Sequence, residues 1–191
     1  MIGKKEINFI PYYCKKWDFT VKYPSDWEIV WENEPAGSWD IAVAIAGKDE
    51  GAGRPAFMVN VRDGKILEGN NNITVWSMRP DGERIKIPST PKEYMEIEKT
   101  RLPEEFPEFQ FVSGEEMQLI NKPAAKMVYS YKREMGKIME ESITLFGDKL
   151  SFQFISEIPF NQYSGLKECL NKIIASFQMG KEQNRFWQKE W

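Results

Sequence analysis

Histidine is absent from the 191 residues, which removes the commonest general base, the usual metal ligand and every Ser-His or Cys-His nucleophile pair. Acid and base work then falls to carboxylates. Three adjacent pairs stand out: Glu104 with Glu105, Glu115 with Glu116, and Glu140 with Glu141. Two carboxylates divide acid and base roles only when both reach one site. Neighbours on a strand point to opposite faces, so Glu140 and Glu141 cannot share a site. All three pairs sit in polar contexts that read as solvated surface. No catalytic pair is assigned, and the chain is not read as an enzyme.

Other motifs that carry chemistry are equally thin. Gly47-Lys48 is followed by Asp49 rather than Ser or Thr, so the spacing reads as a flexible loop and not as a phosphate cradle. Asp81, Gly82 and Glu83 resemble a fragment of a calcium loop without its alternating oxygen ligands or closing Glu, which leaves a plain turn. Asn72-Ile73-Thr74 matches a glycosylation acceptor, a pattern that arises often by chance. The two cysteines, Cys14 and Cys169, are too few and too distant in sequence for a disulfide framework or a zinc knuckle. Free thiols are the expectation, and a bridge between them depends on a distance that sequence does not give. No metal or cofactor is implied.

The elements that would position any site read as strands, then a helix, then strands and a closing helix. Phe19, Val21 and Tyr23 alternate with polar residues, and Pro24, Ser25 and Asp26 turn the chain. Trp27, Ile29 and Trp31 resume the alternation, followed by Trp39 to Ile45 and by Phe57, Val59 and Val61, a first meander. The glycine-rich 47–53 stretch reads as a hairpin loop, and a short strand is expected within Ile73 to Met78. Thr90 can cap a helix, Pro91 suits its first position and Glu93 completes a capping box, so a helix should run to about Leu102, with Pro103 and Pro107 stopping it. Alternation returns from Phe109 to Leu119, and Asn121, Lys122 and Pro123 turn the chain. Three long strands follow. Ala125, Met127, Tyr129 and Tyr131 share one face, Gly136 permits a turn, and Met139, Ile143 and Leu145 lead through Gly147 and Asp148 to Leu150, Phe152 and Phe154. Leu166, Cys169, Leu170, Ile173, Ile174 and Phe177 then recur at helical spacing, with Gly180 as the stop.

Hydrophobic residues make 41% and charged residues 29% of the chain, a globular composition, and the formal net charge of −3 offers no basic field for nucleic acid. Residues 1–16 lack the continuous apolar run of a secretory signal and no spanning segment appears elsewhere, so a cytoplasmic chain is expected as written. Of the seven tryptophans, Trp27, Trp31 and Trp39 fall where alternation points inward, which assigns them to the core. Arg185, Phe186, Trp187 and Trp191 differ, because they lie beyond the closing helix among Lys181 and Lys189. They are the candidate partner-binding residues, with peripheral membrane contact as a second use. Folding back on the domain is the plain alternative.

The stretch Phe19-Thr20-Val21-Lys22-Tyr23-Pro24-Ser25-Asp26-Trp27 resembles the opening of PsbP-like and Mog1-like domains. The helix from Pro91, the Asn121-Lys122-Pro123-Ala124 turn into three strands, and the closing Ile173-Ile174-Ala175-Ser176-Phe177 are similar to that family in order and spacing. The resemblance covers roughly residues 17 to 178. It implies an α+β fold, an α/β/α sandwich around a central antiparallel sheet, and accessory proteins more often than enzymes. PsbP proteins assist photosystem II and Mog1 proteins bind the Ran GTPase, so a shared fold does not fix a shared partner. The expected organisation is an N-terminal extension over 1–16, one domain over 17–179 and an aromatic-basic tail over 180–191. The expected role is non-catalytic binding or assembly through a protein partner, with a small-ligand carrier using a pocket between sheet and helix as the alternative.

Overall fold

The computed structural model describes residues 7–36, 39–48, 53–63, 76–78, 84–86, 88–147 and 150–180. Its strands in chain order are β1 (Phe9–Cys14), β2 (Phe19–Pro24), β3 (Glu28–Ala36), β4 (Trp39–Ala46), β5 (Ala56–Asp63), β6 (Trp76–Met78) and β7 (Arg84–Lys86). Helix α1 (Pro91–Glu105) is followed by β8 (Gln110–Leu119), β9 (Lys122–Arg133), β10 (Gly136–Leu145) and β11 (Leu150–Pro159), then helix α2 (Tyr163–Ala175) and β12 (Gln178–Met179). A seven-stranded antiparallel sheet in the order β3-β4-β5-β11-β10-β9-β8 forms the centre, with a three-stranded sheet β1-β2-β12 beside it and β6 paired with β7. This is the expected α+β sandwich with an antiparallel core.

Strand alternation gives the large sheet two different faces. One sends Val43, Ile45, Phe57, Val59, Val61, Ile143, Leu145, Phe152 and Phe154 toward β1, β2 and α2. Phe177 sits at the centre of that layer, with its ring 4.8 Å from Phe154, 5.2 Å from Phe152 and 5.4 Å from Phe19. The other face carries Ala125, Met127, Tyr129 and Tyr131 and is covered over β8 and β9 by Met95 and Leu102 of α1. Thr90 Oγ1 accepts from the Glu93 N–H at 3.1 Å, so the capping residues start α1 as their types require.

Several local expectations give way to the structure. Strand β1 lies inside the stretch read as an extension, pairs with β2 along its whole length and buries Tyr12 and Cys14, so the folded unit begins by Phe9. Helix α1 continues through Pro103, because a proline in the last turn forfeits one backbone bond while Phe106 N–H still closes on Leu102 O at 2.9 Å. The β8–β9 turn consists of Ile120 and Asn121, whose φ angles of 47° and 62° match the two-residue hairpin turn suited to strand twist, and Lys122 and Pro123 already belong to β9. Trp31 is 55% exposed rather than core. The cause is a bulge between Ile29 and Trp31 that breaks the phase of alternation in the edge strand. Trp27 and Trp39 are partly buried against the two cores. Helix α2 ends at Ala175, and Gly180 instead follows β12, where its N–H meets Asp18 O at 2.6 Å and a Cβ would collide with the Asp18 carboxyl. Of the short strand expected within Ile73 to Met78, β6 covers 76–78, and the rest lies outside the described residues.

Candidate functional site

On the α1 side the large sheet holds a cleft of about 790 Å³. Its floor is Ala44 and Ala46 of β4, Ala56 and Met58 of β5, and Ile138 of β10. Alanine at three of these positions leaves the hollow. Its walls are Trp31 from the bulged β3 and Met135 from the β9–β10 turn, the latter 65% exposed. Arg54, Lys132 and Arg133 stand among the lining residues, and each is paired: Arg54 with Glu28 at 2.7 Å, Lys132 with Glu108 at 2.9 Å, and Arg133 with Glu157. The charges offset one another locally, so the apolar floor dominates what the cleft can recognise.

Beside the cleft, a chain of polar groups runs inward under α1. Glu157 accepts from Arg133, and Arg133 Nη2 also donates to Tyr131 Oη at 3.0 Å. Tyr131 Oη lies 3.0 Å from Glu140 Oε2 and 3.2 Å from Glu157 Oε1, so its single proton serves two carboxylates that face each other across β10 and β11. Tyr129 donates to the second oxygen of Glu140. Phe106, placed by the end of α1, stacks on Tyr131 with centroids 4.3 Å apart, and Phe109 lies 5.3 Å from Tyr129. These rings close the carboxylate off from water. Burial therefore pushes the Glu140 carboxyl up to about 7, with Glu157 adding to the rise and the two phenols and Arg133 opposing it. Burial and the Glu140 charge hold both tyrosines protonated well beyond the usual phenol range.

A second cavity, about 140 Å³, lies against this chain between α1 and the sheet. Tyr94, Glu98, Arg101 and Phe106 cover it from the helix, and Glu140, Ser142, Thr144 and Gln153 line it from β10 and β11.

The solvated reading of Glu140 and Glu141 is overturned. The two do point to opposite faces, yet they are 4% and 1% exposed, because both faces of β10 are covered. Glu141 has Lys126 Nζ 3.0 Å from Oε1, without the alignment of a hydrogen bond, and accepts from Tyr163 Oη at 3.1 Å on Oε2. Burial first and this carboxylate second push the Tyr163 phenol up to about 12. The pairs Glu104 with Glu105 and Glu115 with Glu116 are exposed. Cys14 and Cys169 are buried, unbridged thiols. Gly47 is buried beneath Trp27 and Pro55, where a side chain would collide, so its role is packing. Asn72, Ile73, Thr74, Asp81, Gly82 and Glu83 lie outside the described residues, as do Arg185, Phe186, Trp187 and Trp191. Among the described residues no group of three or more metal-ligating side chains comes together, and no helix is long and apolar enough to cross a membrane.

The fold is that of PsbP-like proteins. The cyanobacterial PsbP of Synechocystis superposes with a TM-score of 0.59 at 9% identity over 93% of this chain and 95% of that one. LpqN of Mycobacterium tuberculosis, described as involved in cell envelope biogenesis, gives a TM-score of 0.57 at 14% identity over 92% of each chain. A Pseudomonas aeruginosa protein of unknown function, PA94, described as a putative regulator, gives 0.50 at 9% identity over 88% of this chain and 95% of that one. No protein-family model and no curated protein matches the sequence.

Proposed function

We propose that this protein is a non-catalytic binding accessory whose recognition surface is the cleft on the α1 side of the large sheet, and that its partner is another protein. One observation carries the reading: Trp31 is exposed at the wall of a hollow floored by Ala44, Ala46, Met58 and Ile138. A tryptophan beside methionines and surrounded by paired charges has the composition of a protein-binding centre with a polar rim. The aromatic-basic tail, with Arg185, Phe186, Trp187 and Trp191, is proposed as a further contact. A second reading, a carrier of a small apolar ligand, is favoured by the cleft volume of about 790 Å³, within the roughly 300–1,000 Å³ common for ligand pockets.

Affinity capture with the wild type, a Trp31→Ser/Met135→Ser variant and a chain ending at Gly180 tests the assignment. A partner that binds the wild type and is lost with the double variant supports the protein-binding cleft. Loss only on truncation moves recognition to the tail. Capture of the same proteins by all three chains refutes both, and saturable quenching of Trp31 fluorescence by an apolar dye then supports the carrier.

A further inference from the structure

The cavity beneath α1 is chemically unlike the cleft, and what it suits goes beyond the reading above. We infer that it is a binding site for a small organic ammonium ion, held by the Glu140 carboxylate against the rings of Tyr94, Tyr129 and Phe106. Glu140 is nearly excluded from water, accepts one phenol bond on each oxygen, and forms no ion pair among the described residues. An ionised carboxylate has about four acceptor sites, so two remain for an N–H donor. The charged groups around it are Glu157 and Arg133 from the neighbouring strands, which pair with each other, and Glu98, Arg101 and Glu105 from α1. Arg101 is held between Glu98 and Glu105, and Arg62 of β5 also acts on Tyr94, so the charges near the mouth balance and the uncompensated charge is the one Glu140 gains when it ionises.

The floor points the same way. Gln153 Nε2 donates to Ser142 Oγ only at 3.4 Å, and Gln153 Oε1 accepts from Asn60 Nδ2 only at 3.5 Å, so the Gln153 and Ser142 oxygens lining the cavity are weakly used acceptors. Such a floor favours a ligand that donates. Aromatic faces favour a cation, and most of all one with methyl groups. The volume of about 140 Å³ holds a handful of non-hydrogen atoms, given about 30 Å³ per water in the liquid. Nucleotides and acyl chains are too large.

The 191-residue chain, carrying carbon-13 at its Glu carboxyls, is titrated by NMR at pH 7 with methylammonium and with tetramethylammonium chloride, against sodium chloride and sodium acetate at equal ionic strength. A saturable shift of the Glu140 signal toward its ionised position is expected with the ammonium salts alone. In Glu140→Gln the binding of methylammonium, the N–H donor of the two, should weaken at least about tenfold, the loss of one charge-assisted contact. Proton release on tetramethylammonium binding provides a readout on the wild type: a fraction of a proton leaves at pH 7 and none at pH 9. No saturable shift by about 10 mM, a ceiling affinity near −3 kcal/mol, overturns the proposal. So do equal shifts with sodium acetate, and unchanged affinity in Glu140→Gln.

Discussion

Replacing Glu140 with Gln should make stability less dependent on pH, and by a calculable amount. Burial raises this carboxyl from its ordinary 4.5 to about 7. The folded state therefore disfavours the charged form, and the unfolded chain ionises more readily. Below pH 4.5 the group is protonated in both states and contributes nothing to the difference. Between 4.5 and 7 the unfolded chain releases the proton first, so stability falls as pH rises, and above 7 the full penalty remains. At about 1.4 kcal/mol for each tenfold change, the penalty comes to roughly 3 kcal/mol. Glutamine has nearly the same shape, can still accept the Tyr129 bond, and cannot ionise. Its altered bonding to Tyr131 adds an offset that is constant with pH. Urea unfolding of wild type and variant at intervals from pH 4 to pH 8 isolates the titrating part as the change in their stability difference. The expected change is about 3 kcal/mol in favour of the variant toward pH 8, at constant denaturant slope. If the two profiles run parallel, Glu140 ionises in the fold as it does in water, and the closure by Phe106, Tyr129 and Tyr131 has been misjudged.

Phe177→Ala should cost about 3–5 kcal/mol, because its ring fills the space between Phe19, Phe152 and Phe154 and its removal leaves a cavity there. Chemical unfolding measures this directly, and a loss below about 1 kcal/mol would place the ring outside the core. The thiols should react with an aromatic disulfide reagent only as the protein opens. Cys169 is buried and its thiol is pushed up to about 11 by that burial and by Asp26. Rapid labelling of both cysteines in native buffer would contradict the burial.

Much of the fold was legible because its signals are local. The alternation of Ala125, Met127, Tyr129 and Tyr131 and the three-and-four spacing of α2 follow from one buried face each, and both are found where they were expected. The failures share a cause, which is that exposure depends on what a neighbouring segment covers. Adjacent glutamates normally mark solvent, and nothing within Met139-Glu140-Glu141-Ser142 says that β10 is an interior strand between β9 and β11, with helices and a second sheet over its two faces. Trp31 fails in the opposite direction, since one bulged residue in an edge strand reverses which side points outward.

One trace of the site did lie in the sequence. Tyr129 and Tyr131 alternate on the face where Ala125 and Met127 are plainly core, and a buried phenol needs an acceptor. The nearest acceptors in an antiparallel neighbour joined by the Gly136 turn are on β10 at positions of the same face, and Glu140 lies directly opposite Tyr129. Two inward tyrosines on one strand and a glutamate in register on the next therefore imply a buried carboxylate from the sequence alone. The register follows from the hairpin itself, because Arg133 pairs with Gly136 and each step outward keeps the same sum of residue numbers. The same reasoning applies to any long hairpin in which tyrosines alternate opposite an apparently superfluous glutamate: the hydroxyls require the acid, and the acid, once buried, becomes the group whose charge a ligand or a change of pH can control.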